Sequence, residues 1–139
     1  MSENYEGLSI LDINTSDAVE PTVAEEGEYK IRITSYKKYD DGNFIKTSDS
    51  GNAGFVVNFD IPDEVTSKGF SKWIQVPTNG MEPKKLNGVK FQLDCFKRAF
   101  NMTEINFNKV GMEGYALLGV ENDPQYGEKN FIRKFITGA

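Results

Sequence analysis

The 139-residue sequence contains no histidine and a single cysteine, Cys95. One thiol excludes a disulfide framework within the chain, and the lack of histidine argues against a zinc site built from cysteine and histidine. The missing imidazole also removes the usual general base and every Ser-His or Cys-His nucleophile arrangement. We therefore expect a protein that is not an enzyme and that holds no cofactor or metal.

Long apolar runs are missing as well. No segment approaches the length of a membrane span, and residues 1–20 lack the basic start and apolar stretch of a signal peptide. The sequence therefore predicts a soluble, cytoplasmic protein without a membrane partner. Its length fits one domain, and an apolar fraction of 38% is sufficient for a core.

The acidic residues are unevenly distributed. Eight of the 21 Asp and Glu residues precede the first basic residue, Lys30. Residues 30–139 therefore hold 13 acidic and 16 basic residues, a net charge of +3, although the whole chain carries −5. An acidic leader followed by a mildly basic body indicates a polyanionic partner.

Hydrophobic periodicity predicts five strands and one helix. The strands are expected at about residues 28–39, 55–61, 70–76, 115–122 and 130–136. Val89, Leu93, Phe96 and Phe100 recur at helical spacing, with Asn87 as the N-cap. We assign residues 1–26 to an acidic, flexible N-terminal arm and residues 27–139 to the folded domain.

The element order is strand, strand, strand, helix, strand, strand. It predicts a mainly β protein with the OB-fold, a single five-stranded Greek-key barrel with one helix between strands three and four. An α+β sandwich has the same elements and stays open as an alternative.

Trp73 is the only tryptophan. In the strand FSKWIQV it alternates with Phe70, Ile74 and Val76, so the pleat directs it outward, with Lys72 beside it in sequence. An exposed indole next to cations can stack on a base, as in single-strand binders. The alternative is that a loop or the arm covers Trp73.

The stretch from Lys30 to Lys46 supplies further candidates. Lys30 and Arg32 lie opposite the apolar face of the first strand, and a Tyr-Lys-Lys-Tyr sequence follows before the first loop. Lysines neutralise phosphates and tyrosines stack on bases. The candidate DNA-binding residues of this stretch are Lys30, Arg32, Tyr36, Lys37, Lys38, Tyr39, Phe44 and Lys46.

The last predicted strand, NFIRKFI, has apolar residues on both faces. Arg133 and Lys134 are candidate phosphate contacts there. They could equally be solvent-facing charges that protect an edge strand from aggregation.

The carboxylates offer a less favoured enzymatic interpretation. Asp60, Asp63 and Glu64 cluster near the end of the second strand, whereas Asp40 and Asp41 are adjacent in a turn. A two-metal nuclease needs carboxylates converging from separate elements, and adjacent turn acids usually shape the turn. Catalysis is therefore not the preferred interpretation.

Residues 27–137 resemble the small bacteriophage single-stranded-DNA-binding proteins with an OB-fold. The resemblance rests on the first strand GEYKIRI, a loop with Lys46, Thr47 and Gly51, and the segments FVVNFDI, KGFSKWIQV, FKRAFN and YGEKNFIRKF. It implies a sequence-tolerant single-stranded-DNA-binding protein that acts in phage DNA replication, recombination or repair in the host cytoplasm. The implied partners are single-stranded DNA and phage replication or recombination proteins, and a homo-oligomer stays open.

The end of the chain departs from this resemblance. The chain ends FITGA, whereas many such proteins end in an acidic tail that recruits partners.

The alternative function is a small β-barrel adaptor or virion component that binds protein through an exposed aromatic patch. The acidic arm is also expected to compete with DNA, so that removing residues 1–26 would tighten binding at low salt.

Overall fold

A computed structural model describes residues 10–138 of the chain. The elements are β1 (Gly27–Tyr36), β2 (Lys46–Thr47), β3 (Ala53–Asp60), β4 (Phe70–Val76), α1 (Pro83–Ala99), β5 (Glu113–Asp123) and β6 (Gly127–Ile136). The fold is mainly β with one helix, as predicted. The short strand β2 was expected to be loop, because two residues carry no alternation that a pattern could detect.

The strands form one antiparallel sheet in the order β2-β3-β1-β5-β6, and β4 pairs with the other edge of β3. β1 and β2 follow each other along the same side of β3, since Tyr36 pairs with Val57 and Lys46 pairs with Gly54. Within residues 10–138 the sheet is not closed, because β4 and β6 come close without forming a backbone ladder. The sheet therefore has six strands, instead of the five predicted for a barrel.

The core lies between the inner face of the sheet and α1. Its largest fully buried side chains are Phe55, Phe59, Phe96, Ile31, Ile33, Leu118 and Val57. Phenylalanine rings from the sheet and the helix meet there, with the centroids of Phe59 and Phe100 5.8 Å apart. Burial of these rings against one another supplies the main stabilisation of the fold.

Helix α1 begins at Pro83, one turn earlier than predicted. Proline is favoured at the start of a helix because the first turn does not use its missing N–H group. Asn87, the predicted N-cap, therefore lies inside the helix. In the described part of the chain, no helix is both long and apolar enough to cross a membrane.

Two bulges shift the alternation of side chains in the sheet. The register of β1 against β3 changes between Ile33 and Ser35, which leaves Thr34 and Ser35 both exposed. The register of β5 against β6 changes between Leu117 and Leu118, so that Arg133 has no partner residue. After each bulge the side chains exchange faces relative to a regular strand.

The arm is attached to the domain at its C-terminal end. Thr22 forms a parallel bridge with Ser67, and the side chain of Asn130 bonds both the N–H and the C=O of Ala24. Asn130 is buried, so these bonds satisfy an amide that water does not reach. The arm expected over residues 1–26 is thus held from Thr22 onward, while residues 1–9 lie outside the described residues.

Candidate functional site

Trp73 lies on the outer face of the sheet, the face opposite the core. The register of β3 against β4 runs without a bulge from Ala53 to Phe59, so alternation directs Trp73 outward as predicted. Its side chain is 39% exposed. The indole covers Gly54, where a Cβ atom would come within 2.6 Å of the ring. A tryptophan supported in this way on a flat strand can present part of its ring to a ligand.

Lys72 does not share this face. It pairs with the buried Val57, so its side chain points to the core side of β4. The side chain is half-buried there, and burial lowers the pKa of the Lys72 ammonium group. It lies in a groove between β4 and α1, together with Lys85. Lys72, the neighbour of Trp73 in sequence, thus lies on the opposite face of β4, and its role in DNA binding stays a prediction.

Lys30 and Arg32 point outward from β1, but both are paired with carboxylates. Arg32 donates two hydrogen bonds to Asp60, one of 3.0 Å from Nε to Oδ1. This contact raises the pKa of the Arg32 guanidinium group. Lys30 Nζ lies 3.7 Å from an oxygen of Asp63. A phosphate would have to displace these acids to reach either cation.

Tyr36 is part of the core and does not present its ring to solvent. The bulge at Thr34 turns it inward, where it packs against Phe55 and Phe107. Burial raises the pKa of Tyr36 to about 12, and among residues 10–138 its hydroxyl group has no hydrogen-bond partner. The predicted role of Tyr36 in stacking on a base is therefore corrected, because neither face of its ring is accessible.

The first loop gathers five of the predicted residues into one group, which we call the first-loop cluster: Lys37, Lys38, Tyr39, Phe44 and Lys46. Lys37 Nζ lies 4.9 Å and Lys46 Nζ 5.1 Å from the centroid of the Tyr39 ring. Lys38 Nζ lies 5.9 Å from the centroid of the Phe44 ring. Cation–π attraction holds the ammonium groups against these rings.

No carboxylate of residues 10–138 forms an ion pair with the three lysines of the first-loop cluster. Asp41, in the loop between these lysines, accepts a hydrogen bond of 2.9 Å from the N–H of Asn43, which closes the turn. That bond lowers the pKa of Asp41, and Lys46 lowers it further. The cluster is thus cationic, with two carboxylates, Asp40 and Asp41, at its border.

The loop is anchored on the core through Phe44. The Phe44 ring stacks on Phe107, with centroids 4.9 Å apart and planes at 14°. Phe107 also packs edge-on against Phe55. One face of Phe44 is therefore occupied, which leaves Tyr39 as the ring of the cluster that is better placed for a ligand.

Strand β2 connects the first-loop cluster with Trp73. Lys46 pairs with Gly54, and Gly54 pairs with Gln75 of β4, so the three side-chain positions share the outer face. Lys46 and the Trp73 strand are then two strand spacings apart, about 10 Å. Asn52 joins the same end of the sheet to α1, because its Oδ1 accepts bonds from Gln75 and Lys85.

Arg133 and Lys134 lie on the outer face of β6, at the other side of the sheet. The bulge makes both of them exposed. Arg133 donates a hydrogen bond of 2.8 Å to Glu26 of the arm and lies over the Phe131 ring. Within residues 10–138, neither cation forms an ion pair or a cation–π contact with a residue of the first-loop cluster, so the two cations do not belong to it.

The carboxylates do not converge on a common point. Among residues 10–138 no group of three acidic or cysteine side chains is arranged to hold a metal ion. Asp60 and Asp63 are engaged with Arg32 and Lys30, as described above.

The sequence alone did not identify several residues that support the site. Gly54 allows the indole to approach the backbone, and Phe107 supports the loop. Phe107 lies in the connector between α1 and β5, where no periodic pattern marks it as a packing residue. From the sequence, Gly54 could be recognised only as a residue that weakens the interior of a strand.

No protein-family model matches this chain, and no curated protein is significantly similar to it. A functional proposal therefore depends on the geometry of the site.

Proposed function

We propose that the protein is a non-catalytic, sequence-tolerant single-stranded-DNA-binding protein. The observation that carries the proposal is the first-loop cluster, in which three ammonium groups lie 4.9 to 5.9 Å from two aromatic rings and form no ion pair with a carboxylate of residues 10–138. Single-strand binders combine such cations with aromatic platforms, because every base has a face that can stack.

The roles of the individual residues follow from this arrangement. Lys37, Lys38 and Lys46 neutralise phosphates and release counterions from the strand. Tyr39 and Trp73 stack on bases at two points of the same outer face. The order of the β-strands along that face sets the path of the single-stranded DNA, from the first loop across β2 and β3 to β4.

The topology supports an OB-type fold for this site. If β2 is taken as a hairpin within the first loop, five long strands and one helix remain in the predicted order, and β1 pairs with both β3 and β5. OB-folds bind oligonucleotides on the face of their second and third strands and with the loop between the first two. Trp73 and the first-loop cluster occupy the corresponding positions, on β4 and in the loop after β1.

The resemblance to phage single-stranded-DNA-binding proteins adds a biological role to the proposal. In this proposal the protein acts in phage DNA replication, recombination or repair. Of the residues that the sequence indicated for this role, Lys37, Lys38, Tyr39, Lys46 and Trp73 are the best placed for direct contact. Lys30, Arg32 and Arg133 first have to exchange a carboxylate for a phosphate.

A fluorescence titration tests the proposal, because Trp73 is the only tryptophan. We expect an unstructured single-stranded oligonucleotide to quench its emission and to bind much more tightly than the matching duplex, whose bases offer no free faces. Affinity should fall linearly in logarithmic plots against salt. Equal affinity for single strand and duplex at the same ionic strength would contradict the proposal.

A further inference from the structure

The outer edge of β4 is unpaired. The N–H of Lys37 donates to the C=O of Val56, so the backbone polar groups of Val56 face β1. Trp73 lies opposite Val56, and in an antiparallel pair the backbone groups of such a residue point away from the partner strand. Ser71 and Gln75 follow the same alternation. Among residues 10–138 no backbone group bonds to this edge, which makes it a template for an added strand.

A groove of about 520 Å³ runs between this edge and the first half of α1. It is lined by Lys72, Trp73, Ile74, Gln75, Lys85, Gly88, Val89 and Gln92. The lining contains two lysines and no carboxylate, and neither lysine forms an ion pair within residues 10–138. An extended segment that carries both apolar and acidic side chains matches the edge, the apolar floor and the charge of this groove.

Such a segment exists in the arm of the same chain. Ile10, Leu11, Ile13 and Val19 are exposed by 53% to 82%, an unusual concentration of exposed apolar side chains. Asp12, Asp17 and Glu20 are interspersed among them, and no basic residue precedes Lys30. The hydrogen bonds formed by residues 10–20 are local, within the turn at Asn14–Ala18. Within residues 10–138, therefore, the groove holds no extended segment and residues 10–20 pack against no groove.

The direction of the chain favours a partner in a second molecule. Thr22 pairs with Ser67 in parallel, so the residues before Thr22 run back toward residue 66 and away from β4. Within one molecule the segment would have to reverse before reaching its own groove. We propose that residues 10–20 of one copy dock as an added strand on β4 of a second copy, in the groove beside α1. Reciprocal exchange of the two arms gives a closed dimer, and one-way docking gives a chain of molecules.

Two variants test the groove and the docking segment separately. Gly88→Glu places a carboxylate in the groove and is tolerated by the helix, because no atom lies within 4 Å of the new Cβ. Gly88→Gln is its matched control with the same size and no charge. In the second variant Ile10, Leu11 and Ile13 are replaced by serine, which removes exposed side chains that the domain does not use.

Sedimentation velocity of the full-length protein over a range of concentrations is the test. We expect reversible self-association of the wild type that weakens with salt, since charge attraction is screened. Gly88→Glu and the serine variant should each remain monomeric, and Gly88→Gln should associate more strongly than Gly88→Glu. A mixture of the two monomeric variants should form a one-to-one complex, because one contributes an intact arm and the other an intact groove.

Three results would overturn the proposal. They are a wild-type protein that stays monomeric at all concentrations, a serine variant that associates as well as the wild type, and a mixture that does not form the complex. Thermal melting of each variant shows whether its domain is intact. Single-strand binding by the serine variant should be retained, because Ile10, Leu11 and Ile13 are not part of the proposed DNA site, so this contact and that site can fail independently.

Discussion

The first-loop cluster and the cations of β1 differ in what surrounds each positive charge. Lys30 and Arg32 lie near the centre of the sheet and are neutralised by Asp63 and Asp60. The three lysines of the loop lie over aromatic rings, without a carboxylate within ion-pair distance in the described part of the chain. A cation over a ring remains available to a phosphate, whereas a hydrogen-bonded ion pair must be broken first. Position on the outer face therefore does not by itself define a binding residue.

The largest expected effect is that of removing the loop lysines. We expect the triple variant Lys37→Ala, Lys38→Ala and Lys46→Ala to lower the slope of log affinity for single strands against log salt by about two. This change corresponds to a roughly hundredfold weaker affinity at 0.1 M salt. Lys30→Ala with Arg32→Ala should change the salt slope much less. Filter binding of an oligonucleotide at several salt concentrations measures both.

A control for net charge is provided by lysines away from the cluster. Lys68→Ala, Lys84→Ala and Lys90→Ala remove the same charge from exposed positions and should leave the slope almost unchanged. If the β1 pair lowers the slope as much as the loop lysines do, the distinction between the two regions is wrong.

Trp73 tests whether the site extends from the loop to β4. Trp73→Ala should weaken single-strand binding by roughly 1–3 kcal/mol, with little change in the salt slope, because the loss is one of stacking. Phe91→Ala is the matched control, since Phe91 is an exposed aromatic residue on α1. Circular dichroism melting must accompany both. A large drop in the melting temperature of Trp73→Ala would show that the indole mainly supports the fold.

The arm extends the comparison to a third region. Removing residues 1–21 should tighten single-strand binding a few-fold at low salt and less at high salt, because a tethered acidic segment that competes with DNA is lost. Removing residues 1–26 also deletes Ala24 and should lower the unfolding free energy by about 1–3 kcal/mol, because buried Asn130 loses two of its partners. Oligonucleotide titrations and urea unfolding measure the two effects. Unchanged affinity after removal of residues 1–21 would exclude competition by the arm.

The pH dependence of stability distinguishes the buried Tyr36 from Tyr39 of the first-loop cluster. Burial raises the pKa of Tyr36 in the folded state to about 12, from an ordinary value of about 10. The stabilisation from this shift is complete below pH 10 and is lost as the pH rises toward 12, by on the order of 2 kcal/mol in unfolding free energy. Tyr36→Phe should not show this alkaline loss of stability and should bind DNA like the wild type. Tyr39→Phe should still show the alkaline loss of stability. Urea unfolding at pH 9 and pH 11 provides the measurement, and an equal alkaline loss in Tyr36→Phe would place the effect elsewhere.

Where a strand is regular, the periodicity of its apolar residues was sufficient to predict which side chains point outward. The mainly β composition, the single helix and the outward position of Trp73 could all be predicted, because β4 has no bulge and its side chains alternate without interruption. The length of α1 and the strand β2 were less accessible. Pro83 starts the helix before any apolar residue marks it, and β2 has only two residues, too few to show an alternation.

The bulges explain the errors within the candidate site. An extra residue at Thr34 turns Tyr36 into the core, and an extra residue at Arg133 exposes two neighbouring cations. Whether a strand contains a bulge is decided by its register against neighbouring strands, which the local sequence does not encode. The same holds for Lys30 and Arg32, whose carboxylate partners come from residues 60 and 63.

By itself, the sequence determined the five long strands, the presence of one helix and where the charges lie along the chain, because these depend on local periodicity and composition. Only the tertiary structure decided which cations are neutralised and which tyrosine is accessible. It also left the edge of β4 open beside a cationic groove. These features depend on contacts between residues distant in the chain, and such contacts exist only once the register of the sheet has been set.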